Sequence, residues 1–162
     1  MPQIVAMATG ADADGTVAHW QAVFDDSAAL FAELADGARM GLLAQPGFAP
    51  AGRRLAGLDA AAAKCAGMPM LAFAAIAGRI DVALEPFAGF EAAGLDLLFV
   101  ADADACAELA AAPVDTTLRT MKRLIRRGNL MFFVFRNRHE LQEAGYEDFL
   151  DSLGLAFLGA CR

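Results

Sequence analysis

GLDLLFVADADACAELAAAPVDTTLRTMKRLIRRGNLMFFVFRNR, residues 94–138, decides the fold class of this 162-residue chain. Leu95 to Ala101 is an apolar run continuous enough for a central strand, and Asp102 or Asp104 caps a short helix, ACAELAAA, closed by Pro113. Asp115 and Thr116 cap the next helix, LRTMKRLIRR, whose apolar stripe is Leu118, Met121, Leu124 and Ile125. Gly128 follows its last turn, where a positive φ is needed. LMFFVF, residues 130–135, is the clearest strand: Phe133 and Phe135 share a face, Phe132 takes the other, and most of the run is expected in the core.

Upstream, Ile80, Val82 and Leu84 alternate with Asp81, Ala83 and Glu85, the period of a half-solvated strand, and MLAFAAIAG runs into it from Pro69. The polar stretch Gly10–Gly15 between two apolar runs predicts a hairpin, with His19 and Trp20 in its second strand. Asp25, Asp26 and Ser27 predict a cap for a helix over SAALFAELA, and Asp59 one for an alanine-rich helix reaching Cys65 or Ala66. MGLLAQPGFAPAGRR, rich in proline and glycine, reads as a loop or flap. Downstream come a polar helix, RHELQEAG, and an amphipathic stretch, YEDFLDSLGLAFLGA. The order predicts an α+β fold: a mixed or mainly antiparallel sheet of about five strands packed against several helices, in one domain over residues 1–162.

Charge is segregated along the chain. Residues 1–115 carry −10, residues 116–139 carry +7 and residues 140–162 carry −4, within a net −7. Seven of the thirteen basic residues lie in one window: Arg119, Lys122, Arg123, Arg126, Arg127, Arg136 and Arg138. Such a reversal either grips an anionic group (carboxylate, phosphate or lipid surface) or balances the protein's own acids. The net charge, and Phe132, Phe133 and Phe135 divided between two faces, argue against nucleic acid.

Catalytic and metal signatures are missing. GADADG fails the calcium-loop test, since taking Gly15 as the sixth position puts Gly10 first and Gln21 last. His19 and His139 have no second histidine at metal spacing, and Cys65, Cys106 and Cys161 form no CxxC pair. Cys106 follows a capped helix start, where the helix dipole lowers a thiol pKa, but Asp102, Asp104 and Glu108 oppose that. No cofactor is expected. The longest uncharged apolar stretch, CAGMPMLAFAAIAG, is shorter than a spanning helix, and MPQIVAMATGADADG has no secretory pattern. A cytoplasmic protein of alanine-rich, bacterial-like composition is expected.

Residues 94–138 resemble the second half of sterol-carrier-protein-like lipid-binding domains. The shared order is strand, Asp-led cap, helix, second helix, and then a basic–Gly–apolar step, here Ile125-Arg-Arg-Gly-Asn-Leu-Met-Phe. RIDVALEPF followed by LDLLFVA resembles that family's central antiparallel strands. The chain departs where the last strand runs on as MFFVFRNR, and the first 60 residues do not follow the family's opening. The resemblance implies a small sandwich enclosing a tunnel for acyl or sterol-like molecules, without catalysis, and it transfers no individual binding residue.

Together these features predict a non-enzymatic domain that binds an apolar, anionic small molecule in a cavity with a basic rim. The rim residues are Arg119, Arg123, Arg126, Arg127, Arg136 and Arg138, with Arg126, Arg127 and Arg136 near the mouth. The abundance of Phe and Met, 12 and 7, suits an adaptable apolar cavity. The alternative is a regulatory or scaffold module, a homodimer or the partner of an acidic protein, using the basic face and the apolar stretch Tyr146–Gly159.

Overall fold

Among the described residues, β1 (Arg39–Ala44), β2 (Pro69–Ile76), β3 (Arg79–Pro86), β4 (Leu97–Ala101) and β5 (Leu130–Val134) form one sheet in the order β3-β2-β1-β4-β5. The structure is a computed structural model and describes residues 10–44, 67–89 and 93–155. β1 and β4 run parallel, and the other three pairings are antiparallel, so the sheet is mixed and the fold α+β, as expected. Helices α1 (Gly10–Asp26), α2 (Ala103–Ala111), α3 (Thr117–Arg127), α4 (Arg138–Ala144) and α5 (Glu147–Ser152) complete it.

The 94–138 run folds largely as read. Asp102 caps α2 by accepting from the Ala105 N–H at 2.8 Å, and Gly128 ends α3 at φ +83°. A capping box between Asn137 and Glu140 starts α4. β5 departs from the expectation. It is an edge strand, where one side of the ladder has no neighbouring strand, so only Leu130 is fully buried and Val134 is exposed. The two stretches that resemble central antiparallel strands lie apart: β3 is the opposite edge, and β4 lies beside β1.

The N-terminal half differs more. The predicted hairpin is the helix α1, because Trp20, Val23 and Phe24 are buried at helical spacing, and Gly15 meets nothing that would break it. Asp25, Asp26 and Ser27 therefore end a helix; a single 3-10 turn, Ala28–Leu30, comes after them, with no side-chain cap on Ser27. The largest correction is β1. MGLLA, read as loop, is the middle strand, and Gly41 belongs there because a Cβ would stand 2.7 Å from the Met70 Sδ. The predicted elements at 3–8, 45–54 and 59–66 lie outside the described residues, as do Cys65 and Cys161.

The main core lies between the sheet and α1–α5. Trp20 and Phe24 stack against Phe73, with ring centroids 5.5 and 4.6 Å away, and Phe31 and Phe99 both meet Phe149. Tyr146, Phe149, Leu150, Leu153 and Leu155 are buried in this core. That part of the C-terminal stretch covers its own chain, so it is not available to another copy.

The outer edge of β3 is closed by one side chain. The Gln21 amide donates to the Ile80 carbonyl at 2.8 Å and accepts from the Val82 N–H at 3.0 Å, as a neighbouring strand would. Gln21→Ala leaves both groups without this partner, and a loss of about 1–2 kcal/mol is expected from denaturant unfolding. Sedimentation should also show concentration-dependent association through the opened edge.

Candidate functional site

Side-chain alternation gives the sheet a second apolar face. Leu43, Met70, Ala72, Phe87, Leu95, Leu98 and Val100 form a buried cluster there, with Met68, Ala93, Phe133 and Phe135 partly exposed at its margin. None of α1–α5 contributes to it; among the described residues their buried apolar side chains belong to the first cluster. A sheet apolar on both faces needs cover on both.

One charged pair lies along this second face. Arg39, at the start of β1, is in register with Ala74 of β2, yet its guanidinium bonds Glu85, which is in register with Met70. Four strand positions separate those registers, about 13 Å. The two side chains therefore extend toward each other over the small residues Ala72 and Ala83, which lie between them in the register. The Arg39 Nε is buried and has no hydrogen-bond partner among the described residues.

Asp96, 8% exposed, anchors this end of the sheet. Its Oδ2 accepts from the Arg39 N–H at 3.1 Å and the Tyr146 hydroxyl at 2.7 Å, while Oδ1 accepts from the Arg136 Nε at 2.8 Å. The carboxylate thus joins the start of β1, the segment after β5 and the helical C-terminal region. Burial first, and then the Asp96 charge, push the Tyr146 hydroxyl well above the usual tyrosine range.

The six predicted arginines come from two segments, one before β5 in the sequence and one after it. Arg119, Arg123, Arg126 and Arg127 lie on α3, ahead of the strand, whereas Arg136 and Arg138 come after it. Arg123 and Arg127 clamp Glu108 of α2 at 2.6 and 3.1 Å. The hydrogen bond from Arg123 first, with Arg127 behind it, holds the Glu108 carboxyl below its usual range. Arg119 and Arg126 are exposed. Of the six, only Arg136 shares the Asp96 carboxylate with Arg39.

No family model matches the chain, and no curated protein matches it. Among solved structures, it is similar to a UbiJ-SCP2 ubiquinone synthesis protein, 16% identical over 88% of this chain and 93% of that one, with a TM-score of 0.43. It is also similar to the solution structure of a conserved hypothetical protein from Thermus thermophilus, described there as a possible sterol carrier protein. That match is 14% identical over 93% of this chain and 86% of that one, again with a TM-score of 0.43.

The remaining reactive side chains are engaged structurally. Cys106 is buried against the Ala101 carbonyl, and burial, with the Asp102 charge second, pushes its thiol up to about 11, so little thiolate exists at neutral pH. The dipole effect considered for it is outweighed. His19 lies on α1 and meets the Thr117 hydroxyl at 3.3 Å, and partial burial lowers its pKa. Among the described residues, no group of three or more His, Cys, Asp or Glu gathers to hold a metal, and no helix is long and apolar enough to cross a membrane. Arg39 and Glu85 are the pair that sequence reasoning missed. Arg39 adjoins a stretch read as loop, so nothing showed that it shares a sheet face with Glu85.

Proposed function

We infer that the protein is a non-enzymatic binding domain for an apolar small molecule with an anionic head, of the lipid or acyl class, held against the second face of the sheet. The observation that carries this reading is that face itself. It is a second buried apolar cluster to which α1–α5 do not contribute, with Met68, Phe133 and Phe135 partly exposed at its margin and, on Arg39, a buried Nε–H that has no hydrogen-bond partner among the described residues. Methionine and phenylalanine pack around chains of varied shape, and an open Nε–H suits a carboxylate or phosphate oxygen. Of the predicted rim residues, Arg136 is the one linked to the Arg39 backbone, through the Asp96 carboxylate at the start of β1.

Native mass spectrometry of protein purified without detergent tests this reading against the denatured mass. An adduct of about a few hundred daltons is expected, the size of ligand that pockets of this class hold. Arg39→Gln should weaken a fatty acid by about tenfold or more, the worth of a charge-assisted hydrogen bond, while leaving the matching fatty alcohol unchanged. A clean monomer that takes up neither ligand overturns the reading. A clean dimer without ligand would favour the scaffold alternative.

A further inference from the structure

We propose that the outer face of α3 docks the protein onto an anionic lipid bilayer. The inference goes beyond ligand binding and does not depend on it. α3 carries five cations, and the structure separates them into two sets. Arg123 and Arg127 are held by Glu108. If the cluster served only to balance the chain's own acids, the other three would be held in the same way. Among the described residues, Arg119, Lys122 and Arg126 instead make no hydrogen bond or ion pair, and Arg119 and Arg126 are exposed.

These three form one stripe. Steps of three and four residues keep them on one side of a helix over about 10 Å. The stripe lies opposite Thr117, Thr120, Met121 and Leu124, which α3 buries against the protein. The Lys122 stem rests against Gly154, with its Cε 3.1 Å from where a Cβ would stand, so this cation is seated although its charge is unpaired. Leu118 and Ile125, partly buried and packed against the core, lie between the stripe and the buried face. A row of cations on an outer helix face is what an anionic membrane surface attracts electrostatically, with the apolar face of the helix kept in the protein core.

The chemistry favours a surface over a discrete anion. The three cations lie along a row about 10 Å long and not around one point, so the stripe suits a charged surface better than a single small anion. A bilayer containing anionic lipid supplies that surface, and each Lys or Arg near it strengthens partitioning about fivefold. The rest of the chain is acidic and repelled, but beyond about 8 Å physiological salt screens that repulsion. Segregated charge therefore permits docking in one orientation only. An acidic protein would need carboxylates matched to these three positions, whereas an anionic bilayer presents charge to any such row.

The test is flotation of the full chain with vesicles of phosphatidylcholine alone and with an equal part of phosphatidylglycerol. Wild-type protein should float only with the anionic vesicles, and less so as salt rises. Arg119→Gln, Lys122→Gln and Arg126→Gln combined should lower partitioning on the order of 100-fold with an unchanged unfolding midpoint. Glu108→Gln, which frees two further arginines, should raise it several-fold. Equal flotation of wild type and triple variant, or wild type that ignores the anionic lipid, overturns the proposal. Flotation reads surface partitioning whether or not a lipid is extracted, so the docking and ligand readings fail separately.

Discussion

Asp96→Ala is expected to cost about 3–5 kcal/mol, one of the two largest effects among substitutions considered for this protein, because it removes one acceptor from three donors. The Tyr146 hydroxyl and the Arg39 backbone N–H lose their partner where water does not readily replace it, since Tyr146 is 0% and Asp96 8% exposed. Arg136 loses less, because half of its side chain is already in water. Tyr146→Phe removes a single bond to the same carboxylate and should cost about 1–2 kcal/mol. The double variant should cost less than the two together, since both act on one network. Denaturant unfolding measures all three, as a lower midpoint with unchanged slope. Titration gives an independent view. The folded state holds the Tyr146 hydroxyl neutral above the ordinary tyrosine pKa, so its favourable share of stability is complete below about pH 10 and declines as pH rises and the unfolded tyrosine ionises. Tyrosinate absorbance should therefore appear together with unfolding. Absorbance that rises first, in a still-folded protein, would mean that the hydroxyl is not enclosed as described.

The legible parts of this fold were those whose signals are local. Asp102 as a cap, Gly128 after a helix and the alternation of Ile80, Val82 and Leu84 each arise from a few neighbouring residues, and each is found in place. β1 was not legible, because what makes it a strand is its pairing with β2 and β4, both distant in sequence and absent from any local window. α1 was misread for a related reason: glycines and aspartates near its start gave a turn signal, while the deciding contacts of Trp20 and Phe24 are with Phe73 in β2. The candidate site inherits this limit. Clustering in sequence made the arginines of 119–138 conspicuous, but in space they take different partners, Glu108 for Arg123 and Arg127 and Asp96 for Arg136. Arg39, alone in its segment, meets Glu85 and Asp96 only once the sheet has assembled. Charge clustering in sequence located α3; only pairing in space could tell its held cations from its exposed ones.

Gly145→Ala is expected to cost about 3–5 kcal/mol, and a matched glycine shows why. Gly145 ends α4 at φ +87°, as Gly128 ends α3 at φ +83°, so alanine at either position incurs the left-handed penalty of about 1–2 kcal/mol. At Gly128 a new Cβ would meet nothing within 4 Å. At Gly145 it would stand 2.0 Å from the Glu33 carbonyl oxygen, 2.6 Å from the Glu33 carbon and 3.0 Å from the Leu34 nitrogen. These are backbone atoms, which cannot rotate aside as a side chain would, so the turn itself must move. Moving it strains the Ala35 N–H bond to the Ala144 carbonyl, 2.9 Å, and shifts the next residue, Tyr146, whose hydroxyl reaches Asp96. The damage should thus propagate from a surface turn to the end of β1 where Arg39 sits. Unfolding midpoints of the two glycine variants isolate the contact: Gly128→Ala should lose only the conformational share, and Gly145→Ala about 2 kcal/mol or more beyond it. Equal losses would mean that the 33–35 segment yields freely and does not brace the Tyr146–Asp96–Arg39 connection.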